Sequence, residues 1–129
     1  MPSRLIELVV DCHDPERLAA FWCEVLGWKV IDRDGGTVEI GCWEPTAEEF
    51  RSRQMPPTLI FIPVPEDKTV KNRLHLDVSP VEGTSEDEVT RLLALGARRN
   101  EDEQPEGASW VVLRDPEGNE FCVLRTLDR

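Results

Sequence analysis

Residues 14–28 read Asp14-Pro15-Glu16-Arg17-Leu18-Ala19-Ala20-Phe21-Trp22-Cys23-Glu24-Val25-Leu26-Gly27-Trp28, and the fold can be worked out from this stretch. Asp14 offers a carboxylate to the free N–H groups of a helix start, and Pro15 brings a preset φ to the first helical position. Leu18, Phe21, Trp22 and Val25 recur at three- and four-residue spacing, which makes one face apolar, and Gly27 suits a left-handed C-terminal cap. A second pattern of the same kind opens at Ser85, with Glu88 three residues on as a capping box. It runs through Val89, Leu92 and Leu93 and stops at Gly96. Both predicted helices end in Leu-Gly.

Strand patterns flank the helices: Leu5 to Asp11, Trp28 to Arg33, Thr37 to Cys42, Thr58 to Val64, Asn72 to Val78, Trp110 to Arg114 and Glu120 to Arg125. A short, weak strand is expected at Ala97 to Glu101. Gly35-Gly36 and Pro116-Glu117-Gly118-Asn119 are turn chemistry that joins neighbouring strands into hairpins. Glu44 to Pro57 is charged, carries three prolines and lacks alternation, so it reads as a covering loop. Laid over each other, the two halves repeat. Gly27 aligns with Gly96, and Ile6, Leu8 and Val10 fall on Leu74, Leu76 and Val78. On the alternate face Glu7, Val9 and Asp11 fall on His75, Asp77 and Ser79, while Phe61 falls on Phe121. Each half reads strand, helix, then three strands, and each is small for a core of its own.

The 129 residues suit one domain, with formal charge −11 from 15 Lys and Arg against 26 Asp and Glu. Such a surface repels nucleic acid and anionic lipid, so neither is an expected partner. The apolar run near the N-terminus is broken by Glu7 and Asp11, too short and too charged for a leader or a membrane helix, and a cytoplasmic protein is expected. Cys12, Cys23, Cys42 and Cys122 are scattered without a C-x-x-C pair and read as free thiols.

Taken together, Asp14-Pro-Glu-Arg-Leu-Ala-Ala-Phe-Trp, Leu26-Gly27-Trp28, Lys71-Asn-Arg-Leu-His75-Leu-Asp77, Leu95-Gly-Ala and Asp115-Pro-Glu-Gly-Asn-Glu-Phe resemble the vicinal-oxygen-chelate superfamily. That superfamily includes glyoxalases, bleomycin-resistance proteins and extradiol dioxygenases, and the resemblance is strongest to its glyoxalase-like branch. It implies an α+β fold of two paired βαβββ modules forming a curled mixed sheet around a central cavity. Residues 1–129 then form a single glyoxalase-like domain, with module 1 at about 1–66 and module 2 at about 70–129. A homodimer is also implied.

The resemblance further implies metal ligands on the first and last strands of each module. Carried over position by position, these are Glu7, Ile62, His75 and Cys122. Glu, His and Cys are admissible ligands for Zn²⁺ or a similar divalent metal, whereas Ile62 donates nothing. Glyoxalase-type chemistry needs a metal to polarise a carbonyl and a carboxylate to move a proton, which would make Glu7 base or ligand and His75 ligand or acid. On the residues alone, Glu7 either faces a wet cavity, pairs with His75 or holds a metal, and Cys122 is by default a small buried hydrophobe. Trp43 and Trp110 are candidate walls of a binding site or covers of a sheet edge. Arg73 and Asp77 share strand parity with His75 and are candidates for substrate binding or for an ordinary ion pair. The function expected is a small-molecule-binding lyase or isomerase acting on an α-oxo compound or adduct. Its rival is a non-catalytic protein that sequesters a drug or metabolite.

Overall fold

A computed structural model describes residues 1–128. The chain divides into two units, module 1 (Met1–Glu66) and module 2 (from Asp67 onward). Module 1 contains β1 (Glu7–Cys12), α1 (Pro15–Leu26), β2 (Lys29–Asp34), β3 (Thr37–Gly41), α2 (Ala47–Ser52) and β4 (Thr58–Pro63). Module 2 contains β5 (Leu76–Val78), α3 (Ser85–Leu95), β6 (Arg98–Arg99), β7 (Val111–Arg114) and β8 (Glu120–Val123). Each builds one mixed four-stranded sheet, in the orders β1-β4-β3-β2 and β5-β8-β7-β6. The first and last strands of each module pair in parallel, and the intervening chain supplies the crossover that a parallel pair requires.

The helices form where the caps allow. Asp14 accepts from the Arg17 N–H, Pro15 opens α1, and Gly27 closes it at φ 69°, a conformation glycine adopts without strain. The apolar face of α1, with Leu18, Phe21 and Trp22 buried, packs on β3 and β4. Beneath it Phe61 is flanked in register by Val10 and Val38, and Leu59 by Leu8 and Ile40, so one sheet face is the core. In module 2, Val89 and Leu92 of α3 are buried, and α3 lies against β8, where Phe121 and Val123 are buried beside Leu113 of β7. Burying each large side chain contributes about 1.5–3 kcal/mol, so these faces fix the modules and leave the opposite sheet faces for other work.

Several elements depart from the expectation. Within Glu44 to Pro57 lies α2, opened by Thr46, whose hydroxyl accepts from the Glu49 N–H while donating to its carboxylate. This capping box stands in the sequence and outweighs the surrounding prolines. The cap of α3 is Thr84, accepting from the Asp87 N–H; the Ser85 hydroxyl instead donates to the Leu124 carbonyl. β5 begins only at Leu76, because the Asn72 N–H is taken by the Glu120 carboxylate, and Leu74 is therefore 77% exposed and off the helix-packed face.

The ladders also revise the repeat. Val10 pairs with Phe61 but Leu76 pairs with Phe121, so matching the two phenylalanines sets Asp11 opposite Asp77, two residues from the alignment by sequence. A two-residue slide preserves which face each side chain takes.

Candidate functional site

The face of the module 2 sheet opposite Phe121 and Val123 carries the site. Asp77 of β5 lies beside Cys122 of β8, which lies beside Val112 of β7, so strand parity puts the three side chains on one face. His75, two residues before Asp77, shares it, and its Nε2 lies 3.3 Å from Asp77 Oδ1. One ligand atom from each of His75, Asp77 and Cys122 lies within 4.8 Å of the others. These three residues are the group of His, Cys and carboxylate donors that could hold a metal among the described residues.

They form part of the floor of a cavity of about 390 Å³. Its polar wall adds Lys71, Glu103 and Glu120, and its apolar wall is made by Trp110, Val112 and Leu124. The size suits a small molecule, and the mixed lining is typical of ligand sites.

The electrostatics follow from the partners. Burial pushes the Cys122 thiol up, and the charge of Asp77 and a hydrogen bond to its carboxylate push it further, against a smaller pull from Lys71. A thiol so placed favours its neutral form, and it would serve a divalent metal as the thiolate. Glu120 is 5% exposed, and burial raises its pKa. The ion pair to Lys68 at 2.7 Å and the Asn72 N–H at 2.8 Å outweigh that effect, and the net shift is downward. Glu120 is thus an anchor: with the Asn72 amide on Asn119 at 2.9 Å, it straps the segment before β5 onto the β7–β8 turn. That turn is tied by Asp115, whose carboxylate accepts from the Glu117 and Asn119 N–H groups.

At the other end Gln104 imitates a strand. Its Oε1 accepts from the Val112 N–H and its Nε2 donates to the Trp110 carbonyl, both at 2.8 Å, which fixes the Trp110 backbone at the apolar wall, the residue being 39% exposed.

Of the residues singled out in the sequence, His75, Asp77, Cys122 and Trp110 come together here. Arg73 is exposed and is not on the cavity wall. Glu7, Trp43 and Ile62 lie in module 1. Glu7 is half-buried at the start of β1 opposite Thr58, and Ile62 pairs with Asp11. Trp43 tilts against Phe50, its indole N–H buried without a hydrogen-bond partner among the described residues. Sequence reasoning missed Lys71, Glu103, Glu120, Val112 and Leu124. Parity with Cys122 and Trp110 marks Glu120, Leu124 and Val112, but no periodicity marks Lys71, which lies on an irregular segment.

The donor set can be tested for fit to a metal. A thiolate, an imidazole and a carboxylate suit Zn²⁺, with a further position for water or ligand, and suit a hard oxygen-preferring ion less well. Among the described residues no helix is long and apolar enough to cross a membrane.

Comparison with known proteins bears on the same region. A family model described as a glyoxalase-like domain matches residues 7–124. No curated protein matches the sequence. Similar solved structures include a glyoxalase/bleomycin resistance protein/dioxygenase family enzyme from Burkholderia phytofirmans, at 19% identity and TM-score 0.61, covering 94% of each chain. A variant of the fosfomycin resistance protein FosX from Listeria monocytogenes, complexed with Mn(II) and 1S,2S-dihydroxypropylphosphonic acid, shares 15% identity at TM-score 0.65, covering 96% of this chain and 90% of that one. Glyoxalase I from Leishmania major, described as trypanothione-dependent, shares 17% identity at TM-score 0.62, with 95% and 86% covered. At these identities the likeness is one of fold.

Proposed function

The chain belongs to the glyoxalase-like domain family, and from that premise we propose that module 2 binds a small molecule over a metal held by His75, Asp77 and Cys122, for lyase or isomerase chemistry on an α-oxo compound or adduct. The observation that carries it is the convergence of three different donor types within 4.8 Å on a cavity floor. Zn²⁺ is the metal the donors favour, and when bound it supplies Lewis-acid polarisation of a ligand oxygen. His75, just before β5, and Asp77 within it hold their donors on one face. Trp110, Val112 and Leu124 exclude water from one side of the ligand. The Mn(II) and small organic ligand named for the FosX structure are in keeping with a metal-dependent site on this fold, with a softer donor set here.

Module 2 supplies the three donors on which the proposal rests, and Glu7 remains the further ligand or base that the family resemblance implies. Glu7 keeps its proposed role as the base of the reaction only if activity, once a substrate is found, falls on Glu7→Gln while metal uptake does not. The whole chain is read as one glyoxalase-like domain, and a homodimer in solution is expected from the family.

A second reading, sequestration without turnover, is favoured by one observation: Ile62, at the fourth ligand position implied by the family resemblance, offers no donor. Zinc titration of protein stripped of metal tests the metal claim. One equivalent bound, and lost in both His75→Ala and Cys122→Ser, is expected; uptake unchanged by both substitutions would overturn the metal assignment.

A further inference from the structure

The walls of the module 2 cavity carry four full charges, Lys71, Asp77, Glu103 and Glu120, and each of the three carboxylates already has a hydrogen-bonding partner. Glu120 is held by Lys68 at 2.7 Å and by the Asn72 N–H. Glu103 accepts from the Asn100 side-chain amide at 2.8 Å. Asp77 faces His75 at 3.3 Å and the Cys122 thiol. Lys71 has no hydrogen-bond or ion-pair partner among the described residues. Its backbone is nonetheless well placed, because the next residue, Asn72, is fixed through its main chain to Glu120 and through its side chain to Asn119. The apolar wall of Trp110, Val112 and Leu124 completes a two-ended cavity.

Resting on the binding site proposed above, we infer that its ligand is a small organic anion with an apolar body, the acid group held by Lys71 and the body laid over Trp110. An unanswered ammonium on a fixed stretch of backbone gains a charge-assisted hydrogen bond from a carboxylate or phosphonate, whereas a cationic ligand meets only acids that have donors already. The preference runs against the overall charge of −11, whose long-range pull on cations is screened by salt. It is therefore a local property of one residue.

Three probes that share a benzyl body separate these effects: phenylacetate, phenylacetamide and phenethylammonium, titrated calorimetrically into protein stripped of metal, so that a bound cation cannot itself attract the anion. The order expected is anion, then neutral, then cation. Lys71→Met should bring phenylacetate down about tenfold to the level of the amide, and Lys71→Glu should reverse the order. Trp110→Ala should weaken all three by a similar factor. Lys71 is exposed, so both Lys71 variants should melt like the parent. Tightest binding of the amine, no binding of any probe at millimolar concentration, or an anion preference that survives Lys71→Met would each overturn the ligand class. Zinc uptake is measured separately and reports on the metal site, so the two ideas fail independently.

Discussion

Across its parallel ladder module 1 sets Asp11 against Ile62, and module 2 sets Asp77 against Cys122; two residues earlier stand Val9 and His75. The backbones follow the same plan, with the same strand order and a helix over the same sheet face. Only one of the three donor positions, the aspartate, is shared. The fold therefore provides the convergent positions twice, and side-chain choice at two of them decides where metal chemistry is possible. The anchors differ in the same way: by the ladder, Ile60 in module 1 stands where module 2 has Glu120 and its ion pair to Lys68.

The strongest way to sharpen this contrast is to erase it. Val9→His with Ile62→Cys writes the module 2 donors onto module 1, and zinc uptake should rise from one to two equivalents per chain. A stoichiometry that stays at one in a folded variant would show that the two ladders are not equivalent at side-chain level. Next in size are the matched core residues. Phe61 and Phe121 are 0% and 1% exposed, and truncating either to Ala should cost about 3–5 kcal/mol in denaturant unfolding. A loss confined to one of them would mean that the modules do not share a packing plan.

The Lys68–Glu120 pair belongs to module 2 alone. Lys68→Met leaves a buried carboxylate without its cation and should cost about 2–3 kcal/mol, at the lower edge of the range for buried pairs because the lysine is 25% exposed. The pH dependence has a definite sign. The Glu120 pKa is depressed in the folded chain, so its contribution is present above the ordinary carboxylate range and is lost as pH falls through the depressed value. Glu120→Gln should flatten that acid limb in a stability–pH profile. The smallest effect concerns Cys122, whose thiol Asp77 helps to hold up after burial has raised it. Asp77→Asn should lower the thiol pKa and speed its alkylation by iodoacetamide at least about threefold at pH 8. An unchanged rate would separate Asp77 from the thiol.

Much of the architecture was legible because it rests on periodicity and caps. Asp14-Pro15, Gly27 and the apolar spacing of Leu18, Phe21 and Trp22 locate α1, and Asp115 to Asn119 locates the β7–β8 turn. The short α2 was hidden among prolines although Thr46 and Glu49 spell its cap. The family resemblance supplied Cys122, and strand parity placed His75 and Asp77 on one side, since alternation survives a two-residue shift of register. It could not make Asp77 a neighbour of Cys122, because that depends on ladder register, which is set by tertiary pairing. Lys71 was beyond reach because its position comes from the strap that Glu120 and Asn119 fasten, a contact between segments almost fifty residues apart.

Cobalt(II) titration tests the central claim most directly, since a thiolate bound to cobalt gives a near-ultraviolet charge-transfer absorption that nitrogen and oxygen ligands do not. One equivalent should develop that band in the native chain. The band should vanish in Cys122→Ser and persist when Cys12, Cys23 and Cys42 are each replaced by Ser. A band that survives Cys122→Ser, or a chain that takes up cobalt without one, would contradict a metal site built by module 2.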